Sequence, residues 1–225
     1  GNIDDVVLGY KEPMSYFGDS AASGKTIGRV ANRIAYGFLR KSKAQRSYEY
    51  AERLLQLGIL TPQPVAYYQE RSGLLFDKSY YVSLASEKTI HFKDIDSLSP
   101  EQQDCFLKAV GILTARLHEA GIYHKDILVS FHQEEAQPLQ AELEILDLNR
   151  MRFGKVSVER GCANFNRFHI NEEALKVMVT AYAQARGTDT ETCIEKALYY
   201  HRLSQLKILG KLIQMAPNSY QIFRY

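Results

Sequence analysis

His124-Lys125-Asp126 and Asp147 are the residues of this 225-residue chain whose types and spacing can do chemistry. The first three follow a long amphipathic helical stretch and a tight turn at Gly121, and the apolar run Ile127-Leu128-Val129 begins directly after them. A polar turn from His132 to Gln140 leads into Leu143-Glu144-Ile145-Leu146-Asp147, so the two runs read as a hairpin with an acid at each end. Carboxylates at the same end of a hairpin can converge on one site. Such a pair suits phosphoryl transfer: one Asp orients an acceptor hydroxyl and takes its proton, and the other holds Mg²⁺ on nucleotide phosphates. Gly24-Lys25-Thr26 invites a different phosphate-binding reading, but Asp19 stands where G-x-x-x-x-G-K-T needs its first glycine, and no parallel-sheet strand leads into it. A loop rich in Gly, Ser and Ala is the plainer account of that segment.

The elements that must position these acids follow from periodicity. Val6-Val7-Leu8 is a short β-branched run, and residues 14–30 read as loop. From Asn32 a helical pattern carries Ile34, Ala35, Phe38 and Leu39, then Tyr48, Ala51, Leu54 and Leu55, and Gly58 ends it. Thr61-Pro62-Gln63-Pro64 is an extended link. After it, Val65-Ala66-Tyr67-Tyr68 and Leu74-Leu75-Phe76 flank Glu70-Arg71-Ser72-Gly73 as a hairpin, with Tyr80-Tyr81-Val82-Ser83-Leu84 as a third strand. Ser99-Pro100-Glu101-Gln102 has an N-cap Ser, Pro at the first helical position and Gln at the third, and Phe106, Val110, Leu113 and Leu117 mark the buried stripe of the helix that follows. Residues 157–216 read as several helices, with stripes at Leu175, Val179 and Tyr182 and at Ile194, Leu198 and His201. The expected fold is α+β and two-lobed: a small strand-rich N-lobe over residues 1–84 and a mainly helical C-lobe over 85–225, with the linker between Ser83 and Ser97.

Composition narrows the partners. A net charge of +2, with Lys and Arg nearly matched by Asp and Glu, makes no general case for nucleic acid, so attraction to an anion must come from local clusters. Two such clusters exist: Arg40, Lys41, Lys43 and Arg46, and Arg150, Arg152, Lys155 and Arg160. The second, beside Asp147, is read as acceptor-binding, the first equally well as a solvated helix face. Cys105, Cys162 and Cys193 form no C-x-x-C pair and suit a reducing compartment. No apolar run approaches the roughly 18 residues that span a bilayer. A start at Gly1 suggests a trimmed N-terminus, so a cleaved signal stays open.

Leu117-His118-Glu119-Ala120-Gly121-Ile122-Tyr123-His124-Lys125-Asp126, followed by Ile145-Leu146-Asp147-Leu148-Asn149-Arg150, resembles the lipopolysaccharide core kinases, the Kdo and heptose kinase family with a protein-kinase-like fold. The stretch from Arg40 to Ala51, then Gly58-Ile59-Leu60-Thr61-Pro62-Gln63-Pro64, is similar to that family's helix C and the strand after it. The resemblance covers about residues 32–170 with the motifs in order. It implies ATP and Mg²⁺ as cofactors, Asp126 as catalytic base, Asp147 as metal ligand and Glu49 as the helix C acid that positions the ATP-binding lysine. The implied acceptor is a sugar hydroxyl of lipopolysaccharide core or a related anionic glycolipid. A cytoplasmic protein is implied, with peripheral contact at the inner membrane open and oligomeric state undetermined. His124 is expected to pack and hydrogen-bond within its loop.

Two departures stand beside the matches. The kinase pattern places an Asn five residues after the Asp, but Asp126 runs straight into an apolar strand, as if about five residues were missing. The strand lysine is absent from Val6-Val7-Leu8, where Lys11 is the nearest lysine, and no Gly-rich nucleotide loop precedes it. The favoured account is that flexible active-site loops are omitted from the sequence as written. The alternative is a pseudokinase serving as a binding module. A third reading keeps the phosphotransferase but gives it an antibiotic, choline or protein acceptor.

Overall fold

The computed structural model describes residues 6–9, 41–72, 75–85, 90–124, 129–132, 142–148, 150–168 and 170–215. Helix and strand are mixed in two compact units. The first comprises residues 1–92, 127–132 and 144–151, and the second comprises residues 93–126, 133–143 and 152–225.

In the first unit, helix α1 (Lys43–Gln56) starts where Ser42 Oγ accepts from Gln45 N at 3.0 Å. It buries Ala44, Ser47, Ala51 and Leu54, a stripe at helical spacing. It ends as expected at Gly58, whose φ of +64° is the left-handed conformation that favours glycine. The extended link to residue 63 leads into strand β2 (Pro64–Ser72), which pairs antiparallel with β3 (Leu75–Leu84); β3 in turn pairs with β1 (Val6–Gly9). The residues expected to form two separate strands, Leu74 to Phe76 and Tyr80 to Leu84, thus fall almost wholly on one ten-residue strand. Its polar middle, Asp77-Lys78-Ser79, meets a register irregularity opposite Gln69 and Arg71, which explains the broken alternation. α1 packs on β2 and β3, with the Tyr48 and Tyr67 rings 5.4 Å apart. Gln69 Nε2 donates to Ser42 Oγ at 2.6 Å, tying β2 to the start of α1.

A second small sheet has the order β4 (Ile90–His91), β6 (Val129–His132), β7 (Glu142–Ile145). The hairpin read from the sequence is therefore present as β6 and β7. The stretch expected to be a linker holds β4 and a 3-10 turn over Phe92–Ser97.

The second unit is mainly helical. Helix α2 (Pro100–Glu119) begins with a full capping box, Ser99 Oγ accepting from Gln102 N while Gln102 Oε1 accepts from Ser99 N. It packs along α4 (Glu172–Ala185), and α5 (Thr190–Met215) packs on α4 and on α3 (Val158–Asn164). Phe106, Val110, Leu117, Phe165, Leu175, Met178, Val179 and Tyr182 fill the core between them. Strand β5 (Ile122–His124) leaves α2 through Gly121, whose φ is +69°. It pairs with β8 (Met151–Phe153), and Gly154 N donates to Gly121 O at 2.8 Å. The sequence reading did not anticipate β8, because three residues are too few to show a period.

Candidate active site

Asp147 lies two residues past the end of β7, on a connector pinned on either side. Ile145 is fully buried, its N–H donates to Leu60 O at 2.9 Å, and its carbonyl accepts from the buried Thr61 Oγ1 at 2.7 Å. On the far side Leu148 is buried, and Met151 N–H closes a turn onto its carbonyl at 3.3 Å. The half-buried Asp147 carboxylate thus sits between two apolar anchors, which fixes where the chain can present it.

Glu49 stands on α1, in the same unit. Both its carboxylate oxygens lie 2.7 Å from Lys41 Nζ, and Oε1 also accepts from Gln45 Nε2 at 3.0 Å. The Lys41 hydrogen bonds hold this carboxyl below the ordinary carboxylate range. Among the described residues, the lysine at Glu49 is Lys41. Lys11, Lys125 and Asp126 lie outside the described residues, as do Arg40 and the Gly24-Lys25-Thr26 segment. Among the described residues no group of three His, Cys, Asp or Glu side chains gathers as a metal site.

In the second unit His124 is the buried last residue of β5, in keeping with a packing role. The sequence reading missed what holds this strand. His118, on the last turn of α2, is buried, stacks on the Tyr123 ring at 5.9 Å with planes 10° apart, and meets Tyr182 edge-on. Arg160 caps the Tyr123 ring at 4.4 Å. Tyr182 Oη accepts from Arg186 Nη1 at 2.7 Å and lies 3.0 Å from His118 Nδ1. The Tyr182 hydroxyl and His118 Nδ1 share one buried hydrogen bond whose direction is set by the imidazole tautomer. Gly161 makes room for the pair: a Cβ there would fall 1.9 Å from Tyr182 Oη. His118 and Tyr182 are 64 residues apart, so only His118's place in the motif before His124-Lys125-Asp126 hinted at this role.

Burial, then the Arg186 and Arg160 charges, push His118 down to about 3, so it is neutral in the fold, whereas the unfolded chain gains a proton below 6.5. The unfolded state binds more protons between those values, so stability falls as pH drops through the window and is fully present above it. The expected loss is about 2 kcal/mol between pH 6.5 and 5. Denaturation at both pH values checks it: His118→Gln should flatten the slope, and an unchanged slope would remove His118 as its source.

A strand-bearing first unit and a helical second unit, joined to an Asp after the hairpin and a His-Lys-Asp after the long helix, define the protein-kinase-like fold. The similarity to solved structures agrees: a chain described as WaaP in complex with acyl carrier protein matches with a TM-score of 0.55 at 16% identity, covering 73% of this chain and 74% of that one. The sequence belongs to the lipopolysaccharide kinase (Kdo/WaaP) family, whose model matches residues 19–192. No curated protein matches it. The matched segment contains Glu49, Asp126 and Asp147, while Lys11 precedes it.

Proposed function

We propose that this kinase transfers the γ-phosphoryl group of ATP to a sugar hydroxyl of lipopolysaccharide core or a related anionic glycolipid. Residues 1–84 would form the nucleotide-side lobe and residues 85–225 the acceptor-side lobe. The observation that carries the reading is the family match over residues 19–192, which spans both hairpin acids. Asp126 orients the acceptor hydroxyl and takes its proton as the oxygen bonds to the γ-phosphorus and the bond to the departing ADP breaks. Asp147 supplies a hard carboxylate oxygen for Mg²⁺, an ion that takes one or two carboxylates and completes its shell with water and phosphate oxygens, so the donor chemistry fits. An Mg²⁺ ion held there would supply neutralisation of charge on the phosphates. Glu49 would hold the nucleotide lysine, for which Lys11 is the sequence's candidate. Arg150, Arg152 and Lys155, which follow Asp147 in the sequence and are all exposed, suit an anionic acceptor.

A second reading, the pseudokinase, has one observation of its own. The position five residues after Asp126 is Phe131, inside β6 and paired with Ile90, where the kinase pattern places its second metal-binding Asn. Incubation with labelled ATP, Mg²⁺ and delipidated core saccharide or whole lipopolysaccharide separates the two. Labelled acceptor supports the kinase, whereas nucleotide binding without transfer to either acceptor supports the binding module. The intact mass should be measured on the same sample, since a value well above 25.7 kDa would restore room for the Asn and the strand lysine.

A further inference from the structure

Strand β5 ends at His124, two residues before Asp126, and its backbone alone is a weak support for a catalytic carboxylate. Among the described residues it pairs with β8 alone, three residues against three, and so short a ribbon is marginal without packing on its faces. Side chains must supply the rest. On one side of the strand Ile122 and His124 are buried. Tyr123 alternates to the other side, and its ring is held by groups from two helices. His118, on the last turn of α2, stacks on it with ring centroids 5.9 Å apart, and the guanidinium of Arg160, on α3, lies over it at 4.4 Å.

The two groups that hold the ring are set by different means. His118 is buried and shares a hydrogen bond with the Tyr182 hydroxyl of α4, which also accepts from Arg186. Arg186 Nη2 in turn donates to Val156 O at 3.1 Å, two residues before α3 begins. Arg160 has no acid partner among the described residues, because the adjacent Glu159 is taken by Lys196 and Tyr200 of α5. Its cation is left for the ring. In the sequence Arg160 stands with Arg150, Arg152 and Lys155 in the basic cluster read as acceptor-binding, and its place over Tyr123 gives it a different task.

We propose that Tyr123 is a positioning residue for phosphoryl transfer: held by His118 and Arg160, its ring sets the direction in which β5 delivers Asp126. The proposal rests on the phosphotransferase reading with Asp126 as base. Arg160 acts on the reaction through Tyr123, without touching the acceptor. A carboxylate that must meet a hydroxyl proton at hydrogen-bond distance tolerates little drift, since a misplacement of about 1 Å can cost about a hundredfold in rate. Both contacts are made by the Tyr123 ring and neither by its hydroxyl, so the ring is the part that positions.

Steady-state kinetics of the full chain with labelled ATP, Mg²⁺ and whole lipopolysaccharide supply the first readout. Tyr123→Leu should lower kcat by at least about tenfold with the KM for lipopolysaccharide little changed, and Tyr123→Phe, which keeps the ring, should recover most of the loss. Arg160→Gln should lower kcat several-fold at nearly constant KM; the side chain is exposed, so this variant should melt with the parent and carries the test where Tyr123→Leu is destabilised. Hydrogen exchange over residues 122–128 needs no acceptor: it should quicken in Tyr123→Leu and Arg160→Gln and return to parental rates in Tyr123→Phe. Parental kcat in Tyr123→Leu and Arg160→Gln, a Phe variant no better than the Leu variant, or unchanged exchange would overturn the proposal. So would an Arg160→Gln loss that falls on KM, which would make Arg160 an acceptor-binding group. A parent that transfers no phosphate would sink the phosphotransferase reading by itself, and the exchange rates alone would then decide whether Tyr123 and Arg160 hold the strand.

Discussion

Asparagine in place of Asp126 is expected to lower phosphotransfer by about three orders of magnitude, and Asp147→Asn by a similar factor, each with a melting temperature close to the parent's. The two losses should differ in kind. Asn at 126 keeps the size of the side chain but cannot take the hydroxyl proton, so added Mg²⁺ should not restore turnover, and the pH dependence attributable to that base should vanish. Asn at 147 leaves one neutral oxygen for the metal, so part of the activity should return as Mg²⁺ is raised. The fold should survive both changes. Asp147 is only half-buried, and its place in the chain is held by the buried Ile145, by the Thr61 hydrogen bond to the Ile145 carbonyl and by the buried Leu148. Steady-state rates at several Mg²⁺ concentrations read out the distinction. Unchanged turnover in Asp126→Asn would remove it as the base, and a Mg²⁺ response identical to the parent's in Asp147→Asn would remove that residue as the ligand.

Local signals carried the sequence reading furthest. The capping box at Ser99 and Gln102, the helix-ending glycines Gly58 and Gly121, and the buried stripe of α2 are encoded within a turn or two of chain, and all are in place. The family resemblance rested on the same kind of contiguous motif. The reading failed where the deciding partner is distant or the element short. β3 looked like two strands because its polar middle is accommodated by an irregularity set by β2. β8 is defined by its pairing with β5 rather than by its own three residues. The His118–Tyr182–Arg186 cluster joins two helices, and Tyr182 read from sequence only as one more core residue. The tie between Thr61 and Ile145, which steadies the approach to Asp147, spans 84 residues and left no trace in either local pattern. For the site itself, Glu49 and Asp147 are placed, whereas Asp126 and Lys11 lie outside the described residues.

Alanine at Gly111 should be among the most destabilising single-methyl additions in the second unit. α2 and α4 cross so closely there that a Cβ would lie 2.2 Å from the Met178 carbonyl oxygen and 3.1 Å from Ala181 Cβ. The first neighbour is backbone, held within α4, and has no rotamer by which to withdraw, so relief requires the helices to separate. Separation would loosen the layer that buries Val110, Met178 and Val179 and would disturb the alignment of His118 with Tyr182 one to two turns further along each helix. A loss of about 3 kcal/mol is expected, or roughly 6 to 12 °C in melting temperature for a chain of this length. Gly210→Ala is the internal control, because nothing lies within 4 Å of its Cβ position on the exposed part of α5. There the methyl adds only helix propensity, so melting should stay level or rise slightly. Thermal unfolding of the two variants side by side decides the matter: a Gly111→Ala protein that melts with the parent would mean that α2 and α4 do not meet at this crossing.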